Sequence, residues 1–200
     1  MTLRTSYTLI APVYDLLVRR FSQNIRKSSL QRLGDVSDQS ILLPGIGTGL
    51  DIPHLPLAAH YTGMDLTPAM LKRAELQIPE GLNMELQTGD AMAMPFADNQ
   101  FDCVVMHLIL AVVPQPQKAL AEAARVVKPG GRILILDKFL KPNEGAWLKR
   151  AISPIMGRIA TRTDVVFEQL LQGLPHLKLS HNDDAGLGGW FRHIELRKQD

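Results

Sequence analysis

Ile41-Leu42-Leu43-Pro44-Gly45-Ile46-Gly47-Thr48-Gly49-Leu50-Asp51 is the stretch on which the reading of the whole chain turns. An apolar run that ends in glycines at alternate positions, Gly45, Gly47 and Gly49, is a buried strand that stops abruptly and turns towards a helix. Glycine in such a turn admits positive φ and lets a ligand approach without a Cβ in the way. The unpaired amides of a helix N-terminus favour an electron-rich group. Turns of this kind also serve only to join a strand to a helix, so the spacing has to decide. A dinucleotide site asks for Gly-x-Gly-x-x-Gly, which would put its third glycine where Leu50 stands; here the glycine falls one residue earlier, at Gly49.

Around this turn lie 200 residues, enough for one domain with a substantial core. A hydrophobic content of 46%, with 15 glycines and 13 prolines, is ordinary for a globular protein. Cys103 is the single cysteine, so no internal disulfide forms and a reducing compartment is expected. It sits in the run Cys103-Val104-Val105-Met106 and reads as core packing. Met1 to Ser6 is too polar for a signal peptide, and the apolar stretch from Cys103 to Val113 is too short to span a bilayer. A cytoplasmic protein is expected, peripheral at a membrane if it touches one. The formal net charge of +2 says little about partners. His54, His60, His107, His176, His181 and His193 are scattered without ligand spacing, so no metal centre is expected. Nucleic acid is disfavoured by the lack of a basic tail and of aromatic–basic interleaving.

Taken in order, Ser6 to Leu33 reads as helical with a break at Pro12. Leu16, Leu17, Phe21, Ile25, Leu30 and Leu33 recur at roughly helical spacing, with Arg19, Arg20, Arg26, Lys27 and Arg32 between them. This basic amphipathic segment is either a solvated face over a packed one or a surface for anionic lipid. A strand from Ser40 to Leu43 delivers the glycine turn. A second, Tyr61 to Leu66, carries Asp65, 20 residues after Gly45, where a nucleotide fold places a carboxylate for ribose hydroxyls. The other reading of Asp65 is an N-cap for the helix Pro68 to Gln77; the glycine turn upstream favours ribose. Leu66 and Met70 pack either against a base or into the core. Met84 to Thr88 is a third strand, and Phe101 to Met106 a fourth, apolar enough for the centre of a parallel sheet. The carboxyl end of that fourth strand puts Met106 and His107 near a ligand at the topological switch point. A helix from Gln117 to Val127 and the turn Lys128-Pro129-Gly130-Gly131 lead into a strand Ile133 to Asp137. Asn143 to Gln172 reads as two helices with a second basic group, Lys149, Arg150, Arg158 and Arg162. Leu174 to Ser180 and Gly189 to Leu196 read as closing strands joined by His181 to Gly188.

Gly45-Ile46-Gly47-Thr48-Gly49 resembles the first motif of class I S-adenosylmethionine (SAM) methyltransferases. Gly89-Asp90-Ala91 matches the same class, in which the acid accepts from the adenine amino group. Arg125-Val126-Val127-Lys128-Pro129-Gly130-Gly131 is similar to the signature before its fifth strand. Ala11-Pro12-Val13-Tyr14-Asp15 resembles the amino-terminal stretch of ubiquinone and menaquinone biosynthesis methyltransferases. The glycine turn together with Tyr14-Asp15 and Val112-Val113-Pro114-Gln115-Pro116 is similar to bacterial phosphatidylethanolamine N-methyltransferases.

The resemblance covers residues 10 to 140 and implies an α/β fold: a Rossmann-like, seven-stranded, mostly parallel sheet with helices on both faces and a reversed final strand. It implies one methyltransferase domain over 1–200, with an N-terminal helical lid (1–34), a SAM-binding core (40–140), and C-terminal helices and closing strands (141–200). SAM is the implied cofactor, with Gly45, Gly47, Gly49, Asp65, Leu66, Met70, Asp90, Ala91, Met92 and Met106 as candidate contacts. Tyr14 is either a further contact or a buried packing residue. One departure stands out: most members carry an acid two residues before the first glycine, where this chain has Leu43.

Methyl transfer from a sulfonium is an in-line displacement, for which a protein chiefly supplies orientation and a water-poor pocket. A base helps if the acceptor is an amine or hydroxyl; His107 is the candidate, with pocket lining as its other reading. Asp137 and Lys138 are expected on the same rim. The acceptor is expected to be a small or amphiphilic molecule, with a phospholipid headgroup amine as one reading and a soluble small molecule or quinone-type precursor as the alternative. Two readings from other classes are a non-catalytic SAM-binding regulator and an NAD-dependent oxidoreductase, the latter disfavoured by Leu50 and Asp90.

Overall fold

The computed structural model describes residues 23–139, 165–186 and 189–200. Tyr14, most of the expected lid and the basic residues Arg19, Arg20, Lys149, Arg150, Arg158 and Arg162 lie outside the described residues.

Seven strands form one sheet in the order β3-β2-β1-β4-β5-β7-β6. They are β1 (Ser40–Pro44), β2 (His60–Asp65), β3 (Asn83–Thr88), β4 (Phe101–His107), β5 (Val127–Lys138), β6 (Leu177–Gly186) and β7 (Phe191–Lys198). All neighbours from β3 to β5 run parallel, and β7 is antiparallel to both β5 and β6. The described helices are α1 over 23–31, α2 (Pro68–Glu75), α3 (Pro116–Val126) and α4 (Phe167–Leu171), with a 3₁₀ turn at Ile52–His54.

The apolar runs read in the sequence become central strands because successive side chains leave a strand on opposite faces. Ile41, Leu43, Cys103, Val105 and Leu134 join Leu30 of α1 and Leu33 just beyond it in one core. Leu42, Val104, Met106, Ile133 and Ile135 join Leu120, Ala123 and Ala124 of α3 in the other. A strand buried on both faces can be apolar throughout, as Ile41, Leu42 and Leu43 are. Cys103 packs in the α1-side core, and burial pushes its thiol up to about 12. It behaves as a small hydrophobe, as its surroundings in the sequence implied.

From β1 the chain moves outward through β2 and β3, then returns to β4 on the other side of β1. The carboxyl ends of β1 and β4 therefore flank the switch point, where open α/β sheets bind ligands.

The C-terminal strands differ from expectation. The connector expected from His181 is largely strand, since β6 continues to Gly186, and residues 187–188 lie outside the described ones. Among the described residues the edge strand β6 pairs only with β7, with bulges between Leu179 and His181 and between Asp184 and Gly186. Its exposed polar residues show no apolar alternation, and that polarity is also what discourages pairing with another chain.

Candidate cofactor site

Gly45, Gly47 and Gly49 all have positive φ, at 70°, 59° and 81°. Their surroundings differ in kind. A Cβ on Gly45 would lie 2.0 Å from Ile109 Cδ1, and one on Gly49 would lie 2.9 Å from the α2 backbone at Ala74 Cα. Both are glycine because other parts of the fold come too close. Among the described residues, a Cβ on Gly47 would meet nothing nearer than the Gly45 carbonyl oxygen at 4.0 Å. It would instead occupy the open space over the turn, the approach a ligand needs.

Asp65, at the end of β2, holds that turn from one side. Its Oδ2 accepts from the Gly47 amide at 2.9 Å and its Oδ1 from the Thr67 amide at 2.9 Å. The N-cap of α2 is Thr67, so Asp65 does not cap the helix. Beside it Leu66 is 68% exposed, an apolar side chain facing outward at the mouth of the turn, and Met70 is half-buried. The Gly89 amide donates to the Asp65 carbonyl at 3.0 Å, which brings the β3 end alongside the β2 end. Next in the chain, Asp90 Oδ1 accepts from the Met92 amide at 2.8 Å and the Asp90 carbonyl from the Ala93 amide at 3.0 Å. Ala91 is buried and Met92 half-buried against the α3-side core.

The loop after Asp90 is fastened by Arg125 and Glu122, which in the sequence stand out only as family signature and helix. Arg125 donates through Nη2 to the Met94 carbonyl at 3.0 Å and through Nη1 to the Phe96 carbonyl at 2.8 Å. Glu122 Oε2 accepts from the Met94 amide at 2.6 Å and also pairs with Arg125. Gly130 and Gly131, expected as a turn, lie within β5 where its register against β4 shifts, and a Cβ on Gly131 would lie 2.8 Å from the Asp102 and Lys128 carbonyl oxygens.

At the carboxyl ends of β4 and β5 the structure places Met106, His107 and Asp137 as follows. Met106 is wholly buried in the α3-side core, since its place in the strand alternation turns it away from the α1 side. His107, the candidate base, is 5% exposed and engaged at both ring nitrogens. Its Nδ1 lies 2.8 Å from Asp51 Oδ1 and its Nε2 lies 2.9 Å from Ser29 Oγ. Asp137 is wholly buried and holds the chain after β4, its Oδ2 accepting from the Ala111 amide at 3.2 Å. Its other oxygen accepts from the Lys138 amide at 2.8 Å, and burial pushes its carboxyl up to about 6. Lys138 lies with its Nζ 5.9 Å from the Phe191 ring centre.

Asp51 was not singled out in the sequence. Its Oδ2 accepts from Arg26 Nη1 at 2.7 Å, and all four residues of the group Arg26, Ser29, Asp51 and His107 are buried. Burial alone would raise the Asp51 pKa; Arg26 and His107 beside it overcome this and hold the carboxyl well below the usual range. A signal was present: Arg26 and Ser29 fall in register with Leu30 on the core-facing stripe of α1. Leu43, at the place where the resembling enzymes carry an acid, is an apolar core residue.

This arrangement of glycine turn and strand-end carboxylates has counterparts. The "Methyltransferase domain" family profile matches residues 42–135. The ubiquinone/menaquinone biosynthesis C-methyltransferase UbiE of Dinoroseobacter shibae is 32% identical over 189 residues, covering 84% of this chain and 73% of that one. The chain belongs to the SAM-dependent methyltransferase family.

This methyltransferase is also 27% identical over 191 residues to a phosphatidylethanolamine N-methyltransferase of Cereibacter sphaeroides, covering 94% of this chain and 93% of that one. Two longer UbiE sequences are covered over only 60% and 59% of their length. A chain in the complex of the Trm112 methyltransferase activator with a methyltransferase from Haloferax volcanii shares the fold. It has a TM-score of 0.78 at 16% identity over 98% of each chain. The family's cofactor is SAM, and the open space over Gly47 and the carboxylate of Asp65 fit its adenosyl part. With that, the oxidoreductase reading is set aside. Among the described residues no group of His, Cys, Asp and Glu could hold a metal ion, and no helix is long and apolar enough to cross a membrane.

Proposed function

We propose that this methyltransferase methylates the headgroup amine of an amphiphile of the phosphatidylethanolamine type. The observation that carries this reading is the end-to-end match to an enzyme named for that reaction, against partial coverage of longer quinone-pathway relatives. When bound, SAM supplies a methyl carbon activated by its sulfonium. The chain's own residues bind and orient. Gly47 leaves room at the turn, Asp65 offers acceptors for ribose hydroxyls, and Asp90 an acceptor for the adenine amino group. Leu66, Met70, Ala91 and Met92 are the apolar residues proposed to flank the base.

His107 and Asp137 are both engaged in hydrogen bonds, so the reading assigns catalysis to orientation and exclusion of water. The attacking amine then enters as its neutral form, having released its proton to solvent. Peripheral contact with anionic lipid belongs to the same proposal. Lys27 is exposed on α1, whereas Arg26 is buried against Asp51 and Arg32 is paired with Asp183 at 2.7 Å. The described part of α1 thus displays less charge than its sequence implied.

The test is methyl transfer from radiolabelled SAM to mixed vesicles containing phosphatidylethanolamine, with a demethylated menaquinol in a parallel arm. Label in the mono- and dimethylated phospholipids supports the proposal. Label confined to the quinol would overturn it in favour of quinone-ring methylation.

A further inference from the structure

The glycine turn is gripped from two sides. On one, Asp65 takes the Gly47 amide. On the other lies Asp51, two residues beyond Gly49 and joined to it by a tight turn in which the Ile52 amide donates to the Gly49 carbonyl at 3.0 Å. Asp51 divides its two oxygens between distant parts of the fold: Oδ2 to Arg26 on α1, Oδ1 to His107 at the end of β4. Ser29, one turn of α1 beyond Arg26, closes the circuit onto His107 Nε2. A carboxylate can only accept, so His107 Nδ1 carries a proton, and the ring is locked by a partner at each nitrogen.

Purely apolar packing would join α1 to the sheet as well, and the rest of that interface does so through Leu30 and Leu33. A buried ion pair gains little over apolar residues of the same volume, so its presence calls for a role besides stability. Next to His107 the backbone is held out of its ordinary range: Leu108 has a φ of 56°, with its amide fixed by the Leu136 carbonyl at 2.8 Å. Such strain persists where the surroundings over-determine a conformation, and it gathers at functional sites.

We infer that Arg26, Ser29, Asp51 and His107 form a positioning relay that makes the seating of α1 and the shape of the cofactor turn one equilibrium. The inference rests on SAM occupying the turn. Binding there favours the docked α1, and loosening α1 weakens binding, by the same factor in each direction. His107 acts through Asp51 and Ser29, as a positioning residue.

The experiment follows amide hydrogen exchange across residues 23–33 of the full chain, with and without S-adenosylhomocysteine. At a ligand concentration about 100 times its Kd, linked sites slow exchange at 23–33 by roughly 100-fold. Asp51→Asn is expected to weaken S-adenosylhomocysteine binding about tenfold or more. It should raise the KM for SAM more than it lowers kcat, and remove the ligand dependence of exchange in α1. His107→Gln should restore part of what His107→Ala loses. A purely structural role would lower the melting temperature of these variants and leave the ligand dependence intact.

Binding to the wild-type chain with no change in exchange at 23–33 overturns the relay, whatever the variants do. Unchanged affinity in a folded Asp51→Asn chain does the same. If the wild-type chain does not bind S-adenosylhomocysteine, the cofactor reading falls and takes the relay with it.

Discussion

Asp65 Oδ2 accepts the Gly47 amide at 2.9 Å, so the carboxylate that ends β2 also sets the height of the turn that ends β1. A charged acceptor on a backbone amide contributes about 1.5–3 kcal/mol. Asp65→Ala is expected to weaken S-adenosylhomocysteine binding by about 10- to 100-fold, because it removes both the grip on Gly47 and the proposed ribose acceptor. Asp65→Asn should fall between the two. Isothermal titration checks this, and an Asp65→Ala chain that binds as the wild type does would remove Asp65 from the site.

The glycines of the turn should separate into two classes. Gly47→Ala puts a methyl into open space, so its cost to stability is chiefly the left-handed backbone, about 1 kcal/mol, while cofactor binding is lost. Gly45→Ala drives a methyl into Ile109, so it should lower the melting temperature clearly more than Gly47→Ala. Thermal melts beside ligand titrations read out both. Equal melts, or retained binding in Gly47→Ala, would contradict the division.

Two buried groups give opposite dependences of stability on pH. Burial raises Asp137 to about 6, so between about pH 4 and 6 the folded chain keeps a proton that the unfolded chain has released. Its contribution therefore falls as pH rises through that window, by about 3 kcal/mol at most. Burial, with Arg32 and His107 nearby and Asp183 opposing them, lowers His193 to about 4, and its Nδ1 has no hydrogen-bond partner among the described residues. Its contribution falls as pH drops from about 6.5 to 4. Relative to wild type, Asp137→Asn should gain stability as pH rises across this range, and His193→Gln should gain as pH falls. Urea midpoints between pH 4 and 7 would show the two differences diverging; parallel differences would count against one or both shifts.

The parts of this protein legible in the sequence are those with a short-range cause. Ile41-Leu42-Leu43 and Cys103-Val104-Val105-Met106 announce strands buried on both faces, because nothing but a two-sided core keeps so many consecutive side chains from water. The edge strand β6 was half hidden, since its side chains after Leu177 are nearly all exposed and it carries no apolar alternation. Met106 and Asp137 were expected near the ligand from their place at strand ends. One residue of alternation, which a strand boundary leaves open, decides which way such a side chain turns.

The chain's own order of residues determined the parallel sheet and the glycine turn, since strand periodicity and runs of glycine act over a few residues, and the likeness of its motifs to those of the methyltransferases pointed to the type of cofactor. Only the tertiary structure decided that His107 is buried between Asp51 and Ser29 and that Asp51 joins α1 to the turn. Those contacts link residues 25, 56 and 78 positions apart. They exist because the sheet returns from β3 to β4 beside β1 and lays α1 across both strand ends; no local pattern encodes that proximity.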